Sequence, residues 1–105
     1  MRPEVGAVLG ALGDPTRRAV YEAVARRGPL TPTELAERLP VSRQAVSKHL
    51  GVLAEAGLVR SERHGREARF EPVPRATAST AAWMDELGAA WDDRLGRLRR
   101  HLADG

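Results

Sequence analysis

Two short helical segments separated by a single proline constrain this chain more than any other feature of its sequence. Thr31 and Glu34 have the spacing of a capping box, in which each side chain bonds the backbone N–H of the other residue, so a helix begins after Thr31. Pro40 forces the residue before it out of the helical region and ends that helix, and Ser42 then caps a second helix that stops at Gly57. Two helices joined by so short a turn cross steeply, as in a helix-turn-helix. The apolar positions that would bury the crossing are Leu35, Leu39, Val41, Val46 and Leu50.

The outward face of the second helix, residues 42–56, carries polar and basic side chains. Gln44, Ser47 and Lys48 share this face with Gly51, and no acid occurs from residue 42 to residue 54. Glutamine pairs with adenine, lysine or arginine with guanine, and serine with a base or a phosphate, so the pattern predicts a helix that lies in the major groove of DNA. A solvated helix face is the simpler alternative. The predicted DNA-binding residues of the two helices are Thr31, Thr33, Ser42, Arg43, Gln44, Ser47, Lys48 and His49.

A change of periodicity after Gly57 predicts a β-hairpin over residues 58–72. Its strands, 58–63 and 67–72, would be half-buried, with Val59 and Ser61 on the inner side of the first, and Pro72 and Pro74 would close the unit. Basic side chains surround the turn and favour a wing that contacts DNA beside the recognition helix. Charges that protect an exposed edge strand from aggregation are the alternative. The predicted DNA-binding residues of the wing are Arg63, His64 and Arg66.

Three further helices are predicted around this unit. Asp14 and Pro15 begin a helix that ends near Gly28, and apolar residues at helical spacing indicate a shorter helix before it. From about residue 75 to 102, apolar residues step by three and four along one face and form a seam too long for so small a domain to cover. Pairing with a second copy would cover it, and packing on its own domain is the alternative. The predicted dimer-interface residues are Val5, Val8, Leu9, Trp83, Met84, Leu87, Trp91, Leu95, Leu98 and Leu102.

These elements define a mainly α fold with a β wing, in the order α-α-α-α-β-β-α. Residues 1–74 would form a winged helix-turn-helix DNA-binding domain, with residues 1–13 also contributing to dimerisation, and residues 75–105 a C-terminal dimerisation helix. The 105 residues allow one compact domain plus one long element.

Composition excludes several function classes. The absence of cysteine excludes disulfides, thiolate zinc sites and cysteine nucleophiles. No apolar run approaches the roughly 20 residues of a membrane span and no signal peptide is recognisable, so we expect a cytoplasmic protein without a membrane partner. We find no nucleophile motif, glycine-rich phosphate loop or apolar carboxylate pair, which argues against an enzyme or a cofactor. A net charge of +3 permits an anionic partner such as nucleic acid.

The chain resembles the ArsR-type winged-helix transcriptional regulators of bacteria. The resemblance is carried by LGDPTRR at residues 12–18, TELA at 33–36, VSRQAVSKHL at 41–50 and LAEAGLV at 53–59. It implies a homodimeric repressor that dimerises through its first and last helices and leaves its operator in response to a signal. Metal-sensing members use cysteines, or Asp and His clusters on the last helix. This chain lacks both, so we predict no metal ligands.

The sequence therefore predicts a sequence-specific regulator that binds double-stranded DNA as a homodimer at a palindromic operator. A winged-helix module for protein–protein or RNA contact, without operator specificity, is the alternative. Trp83 and Trp91 would also suit a hydrophobic ligand between two paired last helices, so a small-molecule inducer stays open.

Overall fold

A computed structural model describes residues 2–104 as five helices and one β-hairpin. This order confirms the predicted winged helix-turn-helix architecture. Its elements are α1 (Pro3–Ala11), α2 (Pro15–Arg27), α3 (Pro32–Arg38), α4 (Arg43–Glu55), β1 (Val59–His64), β2 (Glu67–Pro72) and α5 (Pro74–Asp104).

The helix boundaries follow from side-chain caps that are recognisable in the sequence. The Asp14 carboxylate accepts from the backbone N–H of Thr16 at 2.9 Å and thereby caps α2. The capping box of α3 is complete, because Thr31 Oγ1 accepts from Glu34 N at 3.1 Å and Glu34 Oε1 accepts from Thr31 N at 3.0 Å. Ser42 Oγ accepts from the backbone N–H three residues on at 3.1 Å and caps α4. These contacts satisfy N–H groups that have no partner within their own helices.

The core lies where α2, α3 and α4 meet. Leu35 of α3 and Val46 and Leu50 of α4 are fully buried, as predicted for the inner faces of crossing helices. Val20 and Val24 of α2 cover them from the other side. Each such side chain contributes about 1.5–3 kcal/mol relative to an exposed position, so this cluster holds α4 rigidly and leaves its opposite face outward.

The hairpin is anchored at its base and exposed at its tip. Leu30, just before α3, pairs with Phe70 of β2 through hydrogen bonds of 3.0 and 2.8 Å, a third backbone partner that the sequence did not reveal. The prediction of two half-buried strands is wrong for β1, because only Val59 of that strand is buried while Ser61 is exposed. Toward the turn, every residue from 60 to 67 is exposed, whereas Ala68 and Arg69 of β2 are half-buried.

The last helix, α5, has 31 residues and spans about 46 Å. It begins at Pro74, which therefore starts this helix instead of closing the hairpin unit. The Tyr21 hydroxyl contacts Thr77 Oγ1 at 2.7 Å and joins the start of α5 to α2, while α1 packs alongside. None of its described residues is fully buried. Within residues 2–104, no helix has the combination of length and hydropathy that crossing a membrane requires.

Candidate nucleic-acid interface

The outward face of α4 is polar, basic and solvent-exposed. Arg43, Gln44, Ser47 and Lys48 are all exposed, whereas Val46, Leu50 and Leu53 on the opposite face are buried. The segregation arises because apolar residues recur every three or four positions and turn one face of α4 to the core. These residues lie on the outward side of α4, as the helical spacing predicted. We call Arg43, Gln44, Ser47 and Lys48, together with Gly51, the recognition face.

A cleft of about 300 Å³ separates the start of α4 from the hairpin. Arg43 lines it from α4, and Arg63 and Arg66 line it from the hairpin, with Thr33 at the start of α3. The structure thus brings together residues that the sequence analysis assigned to separate elements. None of the three guanidinium groups forms an ion pair within residues 2–104, and Glu67 is the one carboxylate that lines the cleft there. The cleft is therefore positively charged.

Other basic groups of the hairpin are already paired. Arg60 donates to Glu71 at 2.6 Å, and the Arg69 guanidinium lies 3.9 Å from Glu67. His64 Nε2 lies 3.9 Å from the Glu62 carboxylate. These contacts within the hairpin neutralise part of its charge. Arg63 and Arg66 form no ion pair within residues 2–104, so they are the hairpin arginines available to an external anion.

Two residues predicted to bind DNA are less accessible than the rest of the predicted set. Thr31 is only 6% exposed, and its hydroxyl caps α3, so Thr33 is the exposed threonine at this site. His49 lies at the border of the buried face of α4, and its Nδ1 has no solvent exposure and no hydrogen-bond partner within the described chain. At the start of α2, the N–H groups of Thr16 and Arg17 hold the pKa of Asp14 below its ordinary value, with Arg17 and His49 contributing smaller electrostatic effects.

A second surface lies on α5 and is apolar. Trp83 and Leu95 are half-buried, while five large side chains on the same face are more than half exposed. The guanidinium of Arg94 lies 5.7 Å from the centre of the Trp91 ring. We call this face the α5 seam. Its exposed large members are Met84, Leu87, Trp91, Leu98 and Leu102.

The residues of α1 that were predicted to face a second copy are placed differently. Val5 and Val8 are 0% and 1% exposed, because α1 packs on α4 and α5 within the same chain, so they are not available to another protomer. Leu9 is 40% exposed and remains accessible. Between α1 and α5 lies a cleft of about 330 Å³ lined by Arg2, Val5 and Trp83. Within residues 2–104 no three His, Asp or Glu side chains are grouped as metal ligands would be.

Comparison with known proteins supports the class that this geometry defines. Residues 12–62, from the end of α1 to the first half of the hairpin, match the family model described as a helix-turn-helix domain. The chain is 45% identical to the HTH-type transcriptional regulator Rv2034 of Mycobacterium tuberculosis over 77 residues, which cover 73% of this chain and 71% of the relative. It is 46% identical over 66 residues to the uncharacterized HTH-type transcriptional regulator YuzN of Bacillus subtilis, covering 57% of this chain and 72% of that one.

Solved structures extend the likeness to nearly the whole chain. An ArsR-like transcriptional regulator from Rhodococcus sp. RHA1 superposes with a TM-score of 0.80 at 39% identity, covering 92% of this chain and 91% of that one. The fold and the exposed recognition face define a winged helix-turn-helix DNA-binding transcriptional regulator. Within that class, the chain belongs to the ArsR family.

Proposed function

We propose that this regulator is a homodimeric repressor that binds a palindromic operator, with α4 in the major groove and the hairpin as a wing on the adjoining backbone. The observation that carries the proposal is the continuity of the acid-free recognition face with the three-arginine cleft. Repression is what the family resemblance implies.

The recognition face supplies groups suited to base edges. An α-helix of 13 residues is about 20 Å long and about 10–12 Å wide, which fits the major groove of B-DNA. Gln44 and Lys48 are one turn apart and reach outward, so they would read adenine and guanine, respectively. Ser47 and Gly51 are small, so the helix axis can lie close to the bases.

The cleft supplies groups suited to phosphate. Arg43, Arg63 and Arg66 surround a volume open to solvent, and arginine binds phosphate oxygens in a bidentate manner. A DNA strand that leaves the groove past the start of α4 would enter this cleft. The recognition face would therefore determine sequence, and the cleft would determine register and affinity.

The α5 seam supports the homodimer. Met84, Leu87 and Trp91 are each more than half exposed, and an apolar stripe of this length is costly in water unless a partner covers it. A second copy presents the same stripe, and a two-fold axis between the copies would place two α4 helices on one side of a duplex, about 34 Å apart. We accordingly assign DNA binding to residues 1–74 and dimerisation to residues 75–105.

The proposal includes a signal other than a metal ion. The cleft between α1 and α5 adjoins the seam at Trp83, so a small organic inducer bound there would touch both the DNA-binding unit and the dimer helix. Such a contact would alter the relative placement of the two α4 helices.

Lys48→Glu tests the groove assignment. The duplex upstream of the protein's own coding region is the first probe, in a gel shift with competitor DNA. A lysine contact to a base contributes about 1–3 kcal/mol per half-site, so we expect the variant to lose at least about thirtyfold in affinity as a dimer. Arg26→Glu is the matched control, since it makes the same charge change at an exposed position of α2, outside α4 and the hairpin.

Two outcomes would contradict the proposal. If Lys48→Glu and Arg26→Glu both bind the duplex as tightly as the unmodified protein, α4 does not enter the groove. If the unmodified protein binds every duplex with the same weak affinity, the duplex upstream of its coding region contains no operator. The operator then lies elsewhere, or the module serves protein or RNA contact.

A further inference from the structure

One face of the hairpin carries a ladder of alternating charges. Each rung places a basic residue of one strand opposite an acidic residue of the other, and opposite charges at such positions stabilise a strand pair. The sign also alternates along each strand, because residues two apart share a face. Each charge therefore has opposite charges as its neighbours on this face, which we call the charge ladder. Its rungs are Arg60 with Glu71, Glu62 with Arg69, and His64 with Glu67.

The last rung of the charge ladder lies beside the cleft proposed for DNA phosphate. Glu67 lines that cleft, and its side chain is 63% exposed. A carboxylate there opposes phosphate binding in two ways. It repels the phosphate, and it is a competing partner for Arg63 and Arg66, which line the same cleft. Phosphate binding therefore requires a cation outside the cleft that compensates the charge of Glu67.

Arg69 is placed to compensate Glu67. Its guanidinium lies 3.9 Å from the Glu67 carboxylate, and the two side chains share a face of β2 because they are two residues apart. Arg69 itself lies just beyond the cleft, whose lining on β2 consists of Glu67 and Ala68. The position of Arg69 thus allows it to hold the carboxylate without occupying the space that a phosphate would enter.

The Arg69 side chain is enclosed along its stem. Its Nε has no solvent exposure and no hydrogen-bond partner within residues 2–104, whereas the side chain as a whole is 43% exposed. The start of α3 lies within electrostatic range of it. Hydrogen bonds from Thr31 hold the pKa of Glu34 below its ordinary value, and the Arg69 guanidinium adds a smaller electrostatic effect. Arg69 thus has carboxylates near it on both β2 and α3, and its enclosed stem keeps the guanidinium there.

We propose that Arg69 is a positioning residue for DNA binding, which holds the Glu67 carboxylate so that Arg63 and Arg66 stay free for phosphate. The proposal rests on the assignment of the cleft to DNA phosphate and adds how that cleft is kept available. It gives Arg69 no contact with DNA of its own. Without Arg69, the Glu67 carboxylate would pair with a cleft arginine, and each protomer would lose one phosphate contact.

Arg69→Gln tests this role, because it removes the cation and keeps a polar side chain. DNA binding is measured by fluorescence anisotropy at about pH 8, where imidazoles are mostly uncharged and His64 does not replace the lost cation. We expect the slope of log affinity against log salt to fall by about 1–1.8, since one phosphate contact per protomer of a dimer contributes about 0.9. At the upper value, the loss of affinity is about twelvefold larger at about 50 mM than at about 200 mM salt.

Adding Glu67→Gln distinguishes an indirect effect of Arg69 from a direct one. If Arg69 acts through Glu67, Arg69→Gln with Glu67→Gln should recover the wild-type slope, because the lining of the cleft within residues 2–104 then has no carboxylate. A direct phosphate contact by Arg69, or a purely structural role, predicts that the double variant binds as weakly as Arg69→Gln. Weak binding that persists in the double variant would therefore overturn the proposal.

Arg60→Gln is the matched control on the same charge ladder. Arg60 belongs to the rung farthest from the turn, where it pairs with Glu71 at 2.6 Å, so we expect its slope to stay at the wild-type value. An equal fall in slope for Arg60→Gln would show that the total charge of the hairpin governs binding, and would overturn the role of Arg69. Circular dichroism melting curves report folding. If Arg69→Gln fails to fold both with and without Glu67→Gln, Arg69 serves the fold and the proposal is overturned.

The outcomes separate this inference from the proposed operator binding. Phosphate contacts form on any duplex, so the salt slopes are measurable even where no operator sequence is present. If the wild type binds all duplexes equally, the operator assignment fails, while recovery of the slope by Glu67→Gln still supports the role of Arg69. If the wild type binds an operator and Arg69→Gln leaves its slope unchanged, only the role of Arg69 is overturned. A wild type that binds no duplex overturns both.

Discussion

Replacing Arg66 by alanine removes a guanidinium that is exposed at the hairpin turn and lines the cleft beside α4. No ion pair within residues 2–104 involves it, so the substitution leaves no carboxylate without a partner. Surface substitutions of this kind change stability by less than about 0.5 kcal/mol. Any effect of Arg66→Ala on DNA binding therefore reports a contact with DNA and not a loss of folded protein.

The expected magnitude follows from counterion release. Each phosphate contact contributes about 0.9 to the slope of log affinity against log salt, and a homodimer presents Arg66 twice, so the slope should fall by about 1.8. Between about 50 and about 200 mM salt, this difference changes the ratio of wild-type to variant affinity by about twelvefold. The variant should thus bind much more weakly at low salt and approach the wild type as salt rises.

Fluorescence anisotropy with a labelled duplex at several salt concentrations measures the slope. Arg60→Ala is the matched control, because Arg60 lies on the same hairpin but is paired with Glu71 at 2.6 Å. We expect its slope to stay near that of the wild type. Equal slopes for Arg66→Ala and the wild type, or an equal fall for Arg60→Ala, would refute the assignment of the cleft to phosphate.

Two further predictions concern the dimer and the fold. Trp91→Glu places a charge in the α5 seam, so we expect monomers by light scattering and loss of DNA affinity, while Ala78→Glu, at an exposed position on another face of α5, should stay dimeric. The N–H groups of Thr16 and Arg17 lower the pKa of Asp14 in the folded state, so its carboxylate stabilises the fold above the unfolded pKa of about 3.9, and this stabilisation is lost as pH falls through the lowered folded value. Urea unfolding should therefore show Asp14→Asn less stable than the wild type at pH 7, with the difference shrinking in acid; a constant difference would contradict this linkage.

Local sequence signals were sufficient for the helix boundaries. A cap such as Ser42, or a proline such as Pro40, acts within a few residues of itself, and its effect on the backbone depends little on the rest of the chain. The recognition face was predictable for a related reason. Helical periodicity alone separates Lys48 from Leu50, and burial of the leucine turns the lysine outward.

Contacts between distant segments were not predictable from such signals. Arg17 and Arg18 are adjacent basic residues on α2, yet their Nε groups donate to the carbonyls of Ala11 and Leu12 at 2.6 and 2.8 Å and cap the end of α1. Nothing in the local pattern distinguishes them from Arg66. The pairing of Leu30 with Phe70 likewise joins residues forty positions apart, and no hairpin signal connects them.

The sequence by itself determined the kind and order of the elements and the outward basic face of α4, since both depend on spacing along one helix or on one turn. The tertiary structure decided which of those groups are available. It buried Val5 and Val8 inside the protomer, enclosed His49 Nδ1 away from solvent, and brought Arg43 to Arg63 and Arg66 across a single cleft. The physical reason is that availability depends on what packs against a side chain, and packing partners are brought together only when the whole chain folds.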